Sequence, residues 1–93
     1  MSDVKFSGQV ALVTGASRGI GAAIAHELAH QGLIVIGTAT SAEGAAKVDA
    51  ALKAVPGAGA GSRGAVLDVN DVAACDALVD EIVKAQGSLH VLV

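Results

Sequence analysis

Val10-Ala11-Leu12-Val13-Thr14-Gly15-Ala16-Ser17-Arg18-Gly19-Ile20-Gly21 is the stretch on which the fold turns. Four apolar residues in a row are too few for a buried helix and suit a strand covered on both faces. Three glycines then follow within seven residues, where the chain must turn tightly. Downstream, Ile20, Ala23, Ile24 and Leu28 recur at helical spacing, and Gly32 supplies a stop. A strand, a glycine-rich turn and a helix in that order form the opening of a βαβ unit.

The pattern repeats outward. Leu33-Ile34-Val35-Ile36-Gly37-Thr38, Ala65-Val66-Leu67-Asp68-Val69 and Leu89-His90-Val91-Leu92-Val93 read as three further strands. A helix stripe of Val48, Ala51, Leu52 and Val55 lies between the second and third, closed by Pro56-Gly57. Ser41 is its expected N-cap, with Glu43 in the first turn. Val72, Cys75, Leu78, Val79, Ile82 and Val83 form the last stripe, with Asn70 or Asp71 as cap and Gly87 as end. Ala58–Gly64 reads as a flexible surface loop from its composition. The order βαβαβαβ predicts an α/β fold, a Rossmann-like doubly wound parallel sheet of strand order 3-2-1-4.

Composition narrows the function. The chain has 93 residues, of which 53% are hydrophobic and 1% aromatic, and its formal net charge is −3. The apolar fraction argues against disorder, and the acidic balance against a nucleic-acid partner. One cysteine allows no disulfide within the chain. No apolar run approaches the roughly 20 residues of a membrane span, and the N-terminus lacks a signal-peptide core. A cytoplasmic protein with a reduced thiol is the expectation.

The glycine turn is where chemistry enters. Gly15 can turn the chain off the strand, Gly19 can bring backbone close to a pyrophosphate, and Gly21 can let helix and strand pack closely. Free N–H groups at the helix start, with the positive end of its dipole, attract phosphate. The spacing is not G-x-G-x-x-G, and no Gly-Lys-Ser/Thr follows as in a P-loop.

Thr14-Gly15-x-x-x-Gly19-x-Gly21 after a first strand resembles the cofactor fingerprint of the short-chain dehydrogenases/reductases. With Val35-Ile36-Gly37-Thr38-Ala39-Thr40-Ser41, the likeness extends to the 3-oxoacyl-acyl-carrier-protein reductases of bacterial fatty acid biosynthesis. It runs from Gly8 to Val93. The resemblance implies cofactor contacts at Gly15, Ala16, Ser17, Arg18, Ile20, Thr40, Asp68 and Val69. Asp68 would accept from the adenine amine, and the Val69 N–H would donate to the ring. A turn cap is the other reading of Asp68.

The cofactor type can be read from the second strand. An NAD site carries a carboxylate at its end to hold the ribose hydroxyls. Here Gly37-Thr38-Ala39-Thr40 offers none, Arg18 supplies a fixed positive charge, and Thr40 adds a hydroxyl. NADP(H) is therefore expected over NAD(H).

His26 and His30 have helical metal spacing, but a polar helix face explains them better and no metal site is expected. Cys75 is expected in the core. His90 stands where the family often has Asp, a change that touches a structural hydrogen bond.

In the family, Asn-Asn-Ala-Gly follows the fourth strand, and a Ser and a Tyr-x-x-x-Lys pair come later. None of these can be placed on this chain, which has no tyrosine. Lys5, Lys47, Lys53 and Lys84 match no catalytic position. Residues 1–93 are thus expected to be the N-terminal NADP-binding portion of a larger domain, without catalytic residues. The resemblance implies acyl carrier protein as the partner that carries the substrate, and a homotetramer for the complete enzyme. A reductase of another carbonyl such as a 3-oxoacyl-CoA, or a catalytically inactive nucleotide-binding fragment, are the alternatives. With its fourth strand open at one edge, the segment is expected to be marginally stable or to associate.

Overall fold

The computed structural model describes residues 9–93 apart from 18, 60, 69 and 88. Its elements are β1 (Val10–Val13), α1 (Gly19–His30), β2 (Ile34–Ala39), α2 (Ala42–Lys53), β3 (Arg63–Val66), α3 (Val72–Gln86) and β4 (Val91–Leu92). The strands form one sheet of order β3-β2-β1-β4. All pairings are parallel, with Val10 opposite Ile34, Ala11 opposite Val91 and Ile36 opposite Arg63. The doubly wound order expected from the sequence is the one observed.

Alternation along the central strands divides the core into two layers. Ala11, Val13 and Val35 face α1 and α2, packing on Ala25, Ala29, Val48 and Leu52. Val10, Leu12 and Ile36 face α3, where Ile82 is buried with Leu78 and Val79 beside it. Helices therefore cover both faces, as right-handed crossovers require.

The apolar stripes are narrower than the sequence suggests. On α1 the buried residues are Ala25 and Ala29, while Ile20 and Ala23 are exposed. Ile24 and Leu28, also on the expected stripe, pack partly buried against the same core. On α2, Ala45, Val48 and Leu52 are buried and Ala51 is exposed. On α3 only Ile82 is fully buried; Cys75 is half-buried, and Val72 and Val83 face outward.

Three strands differ from expectation in extent: β2 is shifted by one residue, from Leu33–Thr38 to Ile34–Ala39, and β3 and β4 differ more. β3 begins two residues early, at Arg63 rather than Ala65, and ends at Val66. Gly64 explains the early start. A Cβ there would run into the Ala45 carbonyl, so its absence lets α2 close over the strand. The ladder ends as Leu67 N–H donates to the Ala39 carbonyl at 2.8 Å, and the chain then turns at Asp68. β4 comprises only Val91–Leu92, yet its bonding to β1 runs further. His90 N–H donates to Val10 O and Val93 N–H to Leu12 O, both at 2.9 Å. His90 Nδ1 also accepts from the Val10 N–H at 3.0 Å.

The segment read as a flexible loop is tied down. Ser62 is buried; its hydroxyl accepts from Val35 N–H at 3.0 Å and donates to Gly59 O at 2.8 Å. Gly59 N–H donates to Leu33 O at 3.0 Å. Small residues here permit close approach to β2 rather than freedom.

The caps match the sequence. Ser41 Oγ accepts from Gly44 N–H at 3.0 Å, and Asp71, the choice over Asn70, accepts from Ala74 N–H at 3.0 Å. Gly87 ends α3 at φ 88°, in the left-handed region.

Candidate nucleotide-binding site

Parallel strands deliver their C-terminal ends to one edge of the sheet. The connection after β1 leads to β2 on one side, while β3 crosses to β4 on the other. The crevice above β1 is therefore the topological switch point, where open α/β sheets take their ligands.

The glycine turn occupies this place. Gly15 and Gly19 have φ of 63° and 66°, which side chains rarely tolerate, and, chain neighbours apart, no atom of the described residues lies within 4 Å of where their Cβ would stand. The space above both is therefore open to a ligand. Gly21 faces the other way: a Cβ there would fall on the Gly15 carbonyl, so α1 starts directly against the turn. Ala16 is buried and its N–H donates to the Thr38 carbonyl at 2.7 Å, fixing the turn to β2. The first turn of α1 contains no acidic residue, so its N–H groups and dipole meet no competing negative charge.

Ser17 is exposed on the turn, and Ile20 is 80% exposed at the start of α1. Thr40 is exposed immediately after β2, next to the cap of α2. Gly15, Ala16, Ser17, Ile20 and Thr40 therefore come together around one end of the sheet. Arg18 and Val69, also expected in the site, lie outside the described residues.

Asp68 is exposed at the end of β3. Its Oδ1 accepts from Asn70 N–H at 2.9 Å, and its carbonyl accepts from Asp71 N–H at 2.9 Å. It thus forms the turn into α3 while its Oδ2 has no partner among the described residues. The two readings of Asp68 are compatible, since one carboxylate oxygen suffices for the turn.

Sequence reading missed Gly44. It lies in the first turn of α2, where a Cβ would stand 2.9 Å from Ala39 Cβ and 3.6 Å from Ser17 Cβ. The signal was a glycine inside a helix, a placement that costs stability unless something must approach closely.

His26 and His30 are exposed, and among the described residues no group of three His, Cys, Asp or Glu could hold a metal ion. No helix among the described residues is long and apolar enough to cross a membrane.

The open glycine cradle, the acid-free helix start and the carboxylate-free end of β2 fit the adenosine-phosphate half of a nicotinamide cofactor. The class follows from fold and turn together: the chain belongs to the short chain dehydrogenase family, whose family model matches residues 9–93. Its relatives include the 3-oxoacyl-[acyl-carrier-protein] reductase FabG of Pseudomonas aeruginosa, 49% identical over 90 residues, covering 97% of this chain and 35% of the relative. The protein of the same name from Escherichia coli K12 is 44% identical over 90 residues, covering 97% of this chain and 34% of the relative. That of Haemophilus influenzae is 44% identical over 86 residues, covering 92% and 33%. The chain spans about a third of the length of these curated relatives.

Proposed function

We propose that residues 1–93 are the N-terminal NADP-binding portion of an NADPH-dependent 3-oxoacyl-acyl-carrier-protein reductase acting in fatty acid biosynthesis. The observation that carries this reading is the open cradle over Gly15 and Gly19 beside a β2 end without a carboxylate. The names of the relatives support the substrate.

Bound NADPH supplies the hydride that reduces the ketone of the 3-oxoacyl thioester to a 3-hydroxyacyl group. The part played by this chain is to bind and orient. Backbone at Gly15, Ala16 and Gly19 with the first turn of α1 receives the pyrophosphate. Ser17, Arg18 and Thr40 hold the 2′-phosphate, with the Arg18 guanidinium as its principal charge partner. Asp68 accepts from the adenine amine and Val69 N–H donates to the ring. Ile20 covers the cofactor from the start of α1. No residue of the 93 moves the proton; that falls to a tyrosine and lysine pair in the rest of a complete enzyme, so these residues alone are inactive. The partner is acyl carrier protein bearing the substrate. The complete enzyme is a cytoplasmic homotetramer without nucleic-acid or membrane partners.

Direct titration of the full-length protein with NADPH and NADH tests the cofactor. NADPH is expected to bind more tightly, and Arg18→Ala and Thr40→Ala to remove that preference while leaving NADH affinity unchanged. Equal affinity for both cofactors, with Arg18→Ala silent, would refute the assignment. Comparing turnover of acyl-carrier-protein and CoA thioesters separates this substrate from a 3-oxoacyl-CoA. No turnover of any carbonyl would leave only nucleotide binding.

A further inference from the structure

A cavity of about 200 Å³ lies between α1 and α2, bordering the glycine turn. Its lining is mostly apolar and small, with Ala16 and Ser17 from the turn itself, and it contains no carboxylate. Among the described residues, the only full positive charge on it is Lys47, from the second turn of α2. His26 of α1 is the other titratable group.

Lys47 differs from its neighbours in having no carboxylate partner. Lys53 pairs with Asp49 at 2.9 Å and Arg63 with Glu81 at 2.6 Å, whereas Lys47 has no ion pair among the described residues. Its place on the helix directs it toward the nucleotide. Gly44 and Lys47 are three residues apart and share a face, and helical side chains lean back over the preceding turn. The preceding turn is the one at which Gly44 lies against Ser17. Lys47 and Ser17 line the same cavity, and a long, flexible lysine stem can carry its ammonium along it toward Ser17.

We propose that Lys47 is a specificity-determining residue for NADP(H), adding positive potential from α2 to the 2′-phosphate held at Ser17 and Thr40. This rests on the cofactor reading above and adds to it a charge from a different element than the glycine turn. Lys47 would act as a mobile point charge at the edge of the site, with no fixed geometry. Its effect should therefore be modest, specific to the extra phosphate and screened by salt.

The test uses the full-length protein and titrates NADPH, NADH, 2′,5′-ADP and 5′-AMP against wild type, Lys47→Ala and Lys47→Arg. Lys47 is exposed, and alanine is a better helix former, so the variants should fold. At low ionic strength Lys47→Ala should weaken NADPH and 2′,5′-ADP about fivefold. NADH and 5′-AMP should be unchanged, Lys47→Arg should restore the loss, and salt near 1 M should erase it. Equal weakening of ligands with and without the 2′-phosphate would overturn the proposal, as would no weakening of either. If wild type does not prefer NADPH over NADH, the cofactor reading and this proposal fail together. If that preference is present and Lys47→Ala leaves it intact, only this proposal fails.

Discussion

Thr38 holds two opposite roles in one residue. Its carbonyl accepts the Ala16 N–H that anchors the glycine turn, while its buried hydroxyl finds no partner among the described residues. A hydroxyl removed from water without a hydrogen bond is a cost, and valine has nearly the same shape. Thr38→Val keeps the carbonyl and the β-branch, so it is expected to stabilise the protein by about 1 kcal/mol. Thermal or denaturant unfolding measures this, and a lower midpoint for the variant would contradict it. Gly21 illustrates the reverse case. Its identity is dictated by the Gly15 carbonyl lying where a side chain would stand. The sequence motif showed that a glycine belonged there, and the packing supplies the physical reason.

At the scale of elements, α2 and β3 are joined by charge as well as by close approach. Asp49 Oδ1 accepts from Gly64 N–H at 3.0 Å, and Oδ2 pairs with Lys53 at 2.9 Å. The Lys53 hydrogen bond, followed by that from Gly64, holds the Asp49 carboxyl below the ordinary carboxylate range. A folded-state pKa depressed in this way adds stability above the unfolded value, and that stability is lost as pH falls through the folded value. Asp49→Ala should thus be less stable than wild type at neutral pH, by about 1 kcal/mol or less because the pair is partly solvated. The difference should shrink as pH drops below about 4, and the two proteins should converge in stronger acid. A constant difference between pH 7 and pH 3 would show that the carboxylate charge contributes nothing.

The same elements show what could be read in advance. Strand order and caps were legible because hydrophobic runs, Ser41, Asp71 and Gly87 each act locally. The start of β3 was not, because Gly64 is placed by the Ala45 carbonyl of another element. Nor was the order of the loop after α2, since Ser62 bonds to the backbone of Val35 across the fold. Ile20 was drawn into an apolar stripe by its spacing, although its side chain is 80% exposed at the start of α1. In the site, the glycine turn and the bare end of β2 were legible as residue types, whereas Gly44 and Lys47 acquire meaning only when α2 is laid beside Ser17.

For the whole molecule, the two faces of the sheet are unequally covered. α1 and α2 together bury Ala25, Ala29, Ala45, Val48 and Leu52, while α3 buries only Ile82 completely among its 15 residues. Beside α3 lies a mostly apolar hollow lined by Leu12, Leu67, Cys75, Val79 and Val93, with Thr14 and Asp76 at it as well. β4 borders it, bonded to β1 alone, with Val93 45% exposed at its end. A parallel sheet normally has both faces covered, and an apolar strand edge left open invites pairing with another chain. The polypeptide of residues 1–93, prepared by itself, is therefore expected to associate or to unfold at low temperature with little cooperativity. Val93→Lys should reduce the association by placing a charge on that edge. Analytical ultracentrifugation and thermal unfolding give the answer: a monomer with a sharp, high melting transition would show that the three helices and four strands are sufficient to stabilise the fold.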